Sequence, residues 1–524
     1  MAWHPATKGN IWVLDLRIQG RLMDILNHLF YGFSIGLQPE NLLFCFVGCL
    51  VGTLVGVLPG IGPIGAISIL LPVTFRMSPV SAIIMLAGIF YGAMYGGSTT
   101  SILVNIPGEA ASVVTCLDGH EMAKQGRAGP ALGIAAFGSF IAGTLGIIGL
   151  MLFAEPLAEF GLKFGSPEYA ALILLGLTLI TYLSRGSMIK ALIMGALGLI
   201  LSFIGLDEMQ GSPRLTFNMF RLMDGIDLVP VAMGLFGIAE ILGNVEQTTT
   251  SEILKTKIKN LFPNRQDWMQ AKGAILRGSV LGFLIGVLPG AGATISTFMS
   301  YGLEKRISKD PSRFGKGAIE GVAGPESANN AATGGAFIPL LTLGIPANVI
   351  MALFFGALLI HGVRPGPLLL KDHPDIFWGL ISSMYIGNGM LLILNLPLIP
   401  MWVQVLKIPN RILFPLILLF CIIGAYSLKN SVFEITIMFI FGILGYLFRK
   451  FGYEAAPLLL AFVLGPMLEY NLRQSLMVSR GSLLIFFTRP ISAVTISIAI
   501  ILFITSFIFY FRKGKNLKSS AGDD

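Results

Sequence analysis

The chain contains 524 residues, of which 54% are hydrophobic and 12% charged, and its formal net charge is +8. Soluble domains carry about 25% charged residues, and a globule must cover its surface with polar groups, so the composition excludes a large water-soluble protein. The Lys and Arg residues lie in short gaps between apolar runs. This pattern indicates loops beside a membrane and argues against nucleic-acid binding.

Long apolar runs follow one another along the chain. No charged residue occurs within residues 41–75, 131–154, 327–360 or 491–511. Because about 20 apolar residues cross a bilayer as a helix, length and pattern predict roughly 10–14 membrane segments. We therefore expect an all-α polytopic membrane protein that is embedded in the lipid bilayer.

The predicted domain organisation follows the charges and the apolar runs. It consists of an N-terminal extension (1–22), a first membrane repeat (23–243), a cytoplasmic linker (244–272), a second membrane repeat with the C-terminal spans (273–511) and a basic tail (512–524). The linker and the tail are assigned to the cytoplasm because both are rich in Lys and Arg.

The two halves share a motif, since GVLPGIG at residues 56–62 recurs as GVLPGAG at residues 286–292. The apolar segment before the first copy starts near Glu40, whereas the segment before the second copy starts at Lys272 and Arg277. These charges place the two starts on opposite sides of the membrane. The sequence thus predicts an inverted-topology repeat with broken helices, in which the second copy forms a re-entrant hairpin.

Broken helices suggest a binding site. They leave N–H groups that attract anions, and nearby carbonyl oxygens can hold Na⁺. Two segments combine helix breakers with small polar side chains that can bind carboxylate oxygens. The predicted substrate-binding residues are Ser98, Thr99, Thr100, Ser101, Asn105 and Pro107 in the first half, and Ser327, Asn329, Asn330, Thr333, Gly334 and Gly335 in the second. The predicted broken-helix and ion-binding residues are Pro59, Gly60, Gly62, Pro289, Gly290 and Gly292. The alternative is that these polar side chains only bridge helices.

Three acidic residues, Glu109, Glu320 and Glu326, stand at the ends of segments. Glu320 is interpreted as an interfacial residue. For Glu109 and Glu326 two interpretations stay open, namely the same interfacial place or a role in proton or cation coupling. We find no pair of acids and no nucleophile with a base inside the apolar segments, so we predict no enzyme, no catalytic residue and no cofactor.

At these motifs the chain resembles the large membrane subunit of the tripartite tricarboxylate transporter family. The resemblance runs from about Asp24 to past Pro466 and leaves Met1–Arg21 unmatched. It rests on GVLPGIGP (56–63), YGGSTTSILVNIPGE (95–109), DGHEMAKQGRAGPALG (118–133), GVLPGAGATI (286–295) and GPESANNAATGGAFIPLLTLGIP (324–346).

The resemblance implies a multi-pass protein of the bacterial inner membrane. Its implied partners are a small four-helix membrane subunit and a periplasmic solute-binding protein, and a homo-oligomer stays open. The implied activity is the import of citrate-like organic acid anions, driven by a Na⁺ or H⁺ gradient through alternating access of an elevator kind. The alternative is a self-sufficient ion-coupled carboxylate carrier that needs no binding protein.

Overall fold

The computed structural model describes residues 8–58, 60–182, 187–246, 260–290, 292–408 and 410–520. Nearly all regular structure in this part of the chain is helical. Eight helices are long and apolar enough to cross a membrane, and five shorter apolar helices accompany them. The predicted fold class, an all-α polytopic membrane protein, is confirmed.

The first half contains ten α-helices within the described ranges. They are α1 (Lys8–Gly36), α2 (Pro39–Val57), α3 (Gly62–Leu70), α4 (Pro79–Val104), α5 (Val113–Lys124), α6 (Ala128–Gly161), α7 (Ser166–Tyr182), α8 (Met188–Ser202), α9 (Leu228–Ala232) and α10 (Ala239–Glu246). A π-helical segment, Met233–Ile238, joins α9 to α10. Short 3₁₀ helices are Leu71–Arg76, Ala110–Ser112 and Phe220–Leu222. Strands β1 (Gly205–Leu206) and β2 (Pro213–Arg214) pair antiparallel.

The second half continues with α11 (Arg265–Val287), α12 (Gly292–Ile307), α13 (Glu320–Leu343), α14 (Val349–Ile360), α15 (Leu369–Asp372), α16 (Pro374–Asn395), α17 (Ile399–Val405), α18 (Asn410–Lys429), α19 (Val432–Lys450), α20 (Ala455–Val478), α21 (Ile485–Thr488) and α22 (Pro490–Ser520). A 3₁₀ turn, Pro311–Arg313, precedes α13. Helix α11 begins at a capping box, in which Asn264 and Asp267 each accept the other's backbone N–H.

Helices α11 and α12 form a hairpin, as the sequence predicts. Arg277 in α11 donates two hydrogen bonds, of 2.8 and 2.6 Å, to the carboxylate of Glu304 near the end of α12. The end of α12 therefore lies beside the middle of α11, so α12 folds back along α11. At the tip, Gly290 and Gly292 have φ of 81° and 58°, backbone angles that glycine adopts without steric cost. Pro289 lies two residues after the end of α11 at Val287.

Helices α2 and α3 form the matching hairpin of the first half. Ser81, at the start of α4, donates a 2.6 Å hydrogen bond to Asn41 at the start of α2, so the chain has returned to its starting level. The tip again contains two glycines with positive φ, Gly60 at 101° and Gly62 at 61°. Pro59 lies outside the described residues.

Each hairpin packs tightly against the helix that follows it. Three glycines of α2 face backbone carbonyls of α4, and three of α11 face those of α13: Gly48 on Met85, Gly52 on Ile89, Gly56 on Ala93, Gly278 on Gly324, Gly282 on Ala328 and Gly286 on Ala332. The spacing is the same in both halves, and the partner numbers rise together. Each pair of helices is therefore parallel and close, as small residues allow in membranes.

Helices α4 and α13 end in the same way. Asn105 closes α4 with φ 59° and Gly344 closes α13 with φ 71°, both left-handed. A short break follows each, and the next helical segment is capped by Glu109 in the first half and by Asn348 in the second. The halves are thus structural repeats from the hairpin through this break.

The two repeats meet through α4 and α13, which run antiparallel. Ser98 near the end of α4 contacts Glu326 near the start of α13. The ring of Tyr91, earlier in α4, lies 6.2 Å from that of Phe337, later in α13. Both helices are buried along almost their whole length.

The predicted domain boundaries stay predictions. Residues 1–7, 247–259 and 521–524 of the extension, linker and tail lie outside the described residues. Helix α1 runs continuously across the predicted boundary between residues 22 and 23.

An ionic network fastens the β1–β2 turn to α20. Arg473 donates a 2.6 Å hydrogen bond to Asp207, and Arg214 binds both carboxylate oxygens of Glu469 at 2.6 and 3.0 Å. The hydrogen bond from Arg473, assisted by the N–H groups of Gln210 and Met209, lowers the pKa of Asp207 to about 2. This value lies below that of an unfolded Asp, about 3.9.

The pKa of Asp207 predicts a pH-dependent stability. Because the pKa is lower in the folded protein, the stabilisation is complete above about pH 5 and is lost as the pH falls toward 2. We expect wild type to unfold at a higher temperature than Asp207→Asn at pH 6, with a difference that shrinks as the pH approaches 3. Thermal unfolding in detergent measures it, and a difference that stays constant down to pH 3 would contradict the assignment.

Candidate functional site

The two polar segments predicted from the sequence are buried and face each other. In α4, Ser98, Thr99, Thr100 and Ser101 are at most 5% exposed, and in α13, Ser327, Asn329, Asn330 and Thr333 are at most 3% exposed. Polar side chains cannot face lipid without cost, so they turn toward the interior of the helix bundle. The antiparallel packing of α4 and α13 brings the starts of the two segments together at Ser98 and Glu326.

Glu326 is the centre of this contact. Its carboxylate accepts a 2.5 Å hydrogen bond from Ser98 of the first repeat. It accepts another from Thr115 in α5. The side chain of Glu326 is 1% exposed, so its carboxylate is held by two hydroxyl groups away from the protein surface.

Glu109 is a second buried carboxylate beside the same helices. It accepts a 3.1 Å hydrogen bond from the Asn329 amide and a 2.5 Å bond from the backbone N–H of Ala111. Glu109 also belongs to the capping box of the 3₁₀ turn with Ser112. Each repeat thus supplies one carboxylate whose partner comes from the other repeat. Two interpretations are open for Glu109 and Glu326 from the sequence, an interfacial place or a role in coupling, and their burial argues against the first.

Asn330 extends the cluster to α6. Its amide donates a 2.7 Å hydrogen bond to Ser139 and a 3.1 Å bond to the Glu326 carbonyl. Ser139 and Thr99 line one small cavity of about 10 Å³. Thr99 and Asn330 therefore converge on Ser139, as expected if both segments serve one site.

Several predicted site residues contact backbone groups rather than the side chains of the cluster. Thr100 donates to the carbonyl of Val57, Ser101 to Gly97 and Thr333 to Asn330. Gly334 packs on Gly146 of α6, and Gly335 packs on the Phe283 carbonyl of α11. Asn105 is exposed and Pro107 half-buried in the break after α4. The Ser327 hydroxyl is buried without a hydrogen-bond partner among the described residues.

The glycines at the hairpin tips make contacts of their own. The Gly290 N–H donates a 2.7 Å hydrogen bond to the Ala347 carbonyl, in the break after α13. Gly60 lies against the side chain of Asn244 in α10. The predicted helix breaks are therefore present at these glycines, while ion binding by Gly60, Gly62, Pro289, Gly290 and Gly292 stays a prediction.

Sequence reasoning missed several residues of the cluster. Thr115, Ser139, Tyr95 and Asn395 were not predicted, although all are buried beside it. Asn395 is the last residue of the apolar helix α16. It could have been predicted from the sequence, because an amide in an apolar run is unusual. Thr115 and Ser139 could not have been predicted from the sequence, since single hydroxyl groups are common in membrane helices.

A larger cavity of about 900 Å³ lies elsewhere, between residues 201–229 and helices α14, α18 and α20. Charged residues of both signs line it, among them Asp207, Arg214, Lys429 and Arg473. None of the predicted substrate-binding residues lines this cavity. This cavity is large, but it contains none of the polar residues that the two repeats share. The polar cluster is therefore the stronger candidate site.

The described residues contain no group of three or more His, Cys, Asp or Glu side chains that could hold a metal ion. A cation in the cluster would instead be held by hydroxyl, amide and carbonyl oxygens with one carboxylate, a set that suits hard monovalent ions.

The family model described as "Tripartite tricarboxylate transporter TctA family" matches residues 42–460, which include both hairpins and both polar segments. The chain belongs to this family. It is therefore a multi-pass membrane protein of a transporter family.

Two proteins of Agrobacterium vitis are similar to the chain. An uncharacterized 52.8 kDa protein of the TAR-I ttuC' 3' region is 50% identical over 479 residues, covering 91% of this chain and 95% of that protein. An uncharacterized protein of the TAR-II ttuC' 3' region is 54% identical over 220 residues, covering 42% of this chain and 91% of that protein. No solved structure matches the chain.

Proposed function

We propose that this TctA-family protein is the large permease subunit of an ion-gradient-driven importer that takes citrate-like tricarboxylates or related organic acid anions from a binding protein. The observation that carries the proposal is the convergence of both repeats on the buried cluster around Glu326. Ser98 and Thr115 from the first half hold this carboxylate of the second half. A site shared by two repeats is the usual arrangement in secondary transporters.

The charge of the cluster supports ion coupling. Among the described residues, the groups that hydrogen bond Glu109 and Glu326 include no Lys or Arg. A buried carboxylate without a cationic partner is costly, and an incoming organic anion would raise that cost further. Binding of Na⁺ or H⁺ beside the carboxylates would lower it, so the cation and the anion would favour each other's binding.

The arrangement of the repeats supports alternating access. Helices α4 and α13 run antiparallel. In the first hairpin α2 runs parallel to α4, and in the second hairpin α11 runs parallel to α13. This arrangement supports the proposed inverted-topology repeat, in which the hairpins would enter from opposite sides. The small cavities beside the cluster, each about 10 Å³, are far smaller than a tricarboxylate. Substrate entry therefore requires helix movement, for which we propose an elevator displacement.

The proposed setting is the bacterial inner membrane. There the chain would act with a small four-helix membrane subunit and a periplasmic solute-binding protein. Uptake of labelled citrate into cells expressing the chain and its small partner tests this, with and without the binding protein and Na⁺. We expect uptake to require both the binding protein and Na⁺. Uptake without the binding protein would favour the self-sufficient carrier instead.

Asn329→Ala should weaken transport without preventing membrane insertion. The change removes the amide that binds Glu109 across the two repeats and leaves a buried carboxylate less well satisfied. We expect initial uptake to fall about tenfold, the effect of roughly 1.4 kcal/mol. Ser279→Ala is the control, because Ser279 is equally buried but bonds only the Ile275 carbonyl of its own helix. Uptake by Asn329→Ala equal to that of the control would contradict the assignment.

A further inference from the structure

A small cavity beside the cluster is lined almost entirely by oxygen atoms and apolar groups. It measures about 10 Å³ and lies between α4, α6 and α16. Its polar lining consists of Tyr95, Ser98, Thr99, Ser139 and Asn395, and all of these side chains are at least nine-tenths buried. A volume of about 10–15 Å³ accommodates one water molecule, and a dehydrated Na⁺ is no larger.

The hydrogen atoms of the lining groups point to other partners. The Tyr95 hydroxyl donates to Asn388 at 2.6 Å, and the Ser98 hydroxyl donates to Glu326 at 2.5 Å. The Asn395 amide donates to the Leu391 carbonyl at 3.0 Å. Tyr95, Ser98 and Asn395 have therefore each spent a donor elsewhere and keep lone pairs for a ligand.

Asn395 adds an oxygen without a partner among the described residues. Its Oδ1 is buried and accepts no hydrogen bond from them, and the residue is only 4% exposed and lines the cavity. A buried carbonyl oxygen left without a partner is costly. A cation or a water molecule in the cavity would remove this cost.

We propose that this cavity is a Na⁺ site formed by Ser98, Thr99, Ser139 and Asn395, with Glu326 as its compensating charge. The proposal rests on the proposed function and identifies the coupling ion and its residues. A row of oxygen lone pairs suits a hard cation, whereas a water molecule also needs donors for its own lone pairs and an anion needs donors alone. The Glu326 carboxylate lies one hydroxyl away, through Ser98, and supplies the negative charge.

This assignment divides the predicted substrate residues. Ser98 and Thr99 face the cation, while Asn329 of α13 binds Glu109 in the break after α4. Asn330 connects the cation site to the rest of the cluster through Ser139. Na⁺ binding would thereby fix the relative position of α4, α6 and α13.

Direct binding of ²²Na⁺ to the purified full-length chain in nanodiscs tests the proposal, without substrate or partner proteins. Wild type should bind ²²Na⁺ saturably, with displacement by unlabelled Na⁺ but not by choline. Asn395→Leu should abolish binding, and Ser139→Ala should weaken it about tenfold or more, as loss of a supporting group does at metal sites. The control Ser279→Ala should bind like wild type.

Folding is checked separately, because Na⁺ should raise the unfolding temperature of wild type and Ser279→Ala by mass action. If Asn395→Leu fails to fold, the ²²Na⁺ binding of Ser139→Ala tests the proposal in its place. Retained ²²Na⁺ binding in the folded cavity variants, or no saturable binding by folded wild type, overturns the proposal and leaves a water site. Failure of the proposed function is distinct, since it would appear as intact ²²Na⁺ binding without uptake of any organic acid.

Discussion

Replacing Glu326 by Gln is expected to reduce ion-coupled uptake by about 10–100-fold. The carboxylate accepts hydrogen bonds from Ser98 and Thr115, and a hydrogen bond to a charged group contributes roughly 1.5–3 kcal/mol, which corresponds to that range at 1.4 kcal/mol per tenfold. Gln keeps the size and can hydrogen bond both hydroxyls, so the fold should survive. What it lacks is the negative charge that we assign to the coupling cation.

The measurement is initial uptake of labelled citrate over a series of Na⁺ concentrations. In Glu326→Gln we expect both a lower rate and a loss of the Na⁺ dependence. Glu320→Gln on the same helix is the matched control, because Glu320 pairs with Arg313 near the surface and such pairs contribute about 0–1 kcal/mol. If Glu326→Gln kept the Na⁺ dependence of wild type, Glu326 would not be the compensating charge.

The hairpins show how much of the fold the sequence could predict. Glycine and proline interrupt an apolar run only where a helix breaks, so the repeated GVLPG segments located both tips. The basic residues on both sides of the second copy then indicated that its two ends lie together, and the Arg277–Glu304 pair is found there. Charge and helix-breaking residues act locally, which is why they could be interpreted without a structure.

The contacts inside the cluster could not be predicted in this way. The sequence showed that Ser98 and Asn329 belong to polar segments, but not that Glu326 is bonded by Ser98 or that Thr115 joins it. These partners are far apart in the chain and depend on the crossing of α4 and α13. For the same reason Asn395 was overlooked, since its importance comes from a cavity formed by three helices.

Gly282→Leu is expected to destabilise the folded protein by about 3 kcal/mol or more, at the upper end for overpacking. A Cβ at Gly282 would collide with the Ala328 carbonyl of α13. This neighbour is backbone and cannot rotate away, so α11 and α13 would have to separate along their shared face. Gly52→Leu should have a comparable effect, because Gly52 meets the Ile89 carbonyl of α4 at the matching place.

The measurement is the unfolding temperature in detergent. Unfolding is monitored by the loss of the monodisperse peak in size-exclusion chromatography. Gly302→Leu is the matched control on α12 of the same hairpin, where an added side chain meets open space and Leu is the better helix former. If both Gly282→Leu and Gly52→Leu unfold well below this control, each hairpin and its following helix form one rigid pair. An elevator displacement requires that each hairpin move together with its following helix as one rigid unit. The Ser98–Glu326 contact between α4 and α13 would then move with these units. If either variant unfolds with the control, that pair can separate, and the proposed displacement loses its rigid body.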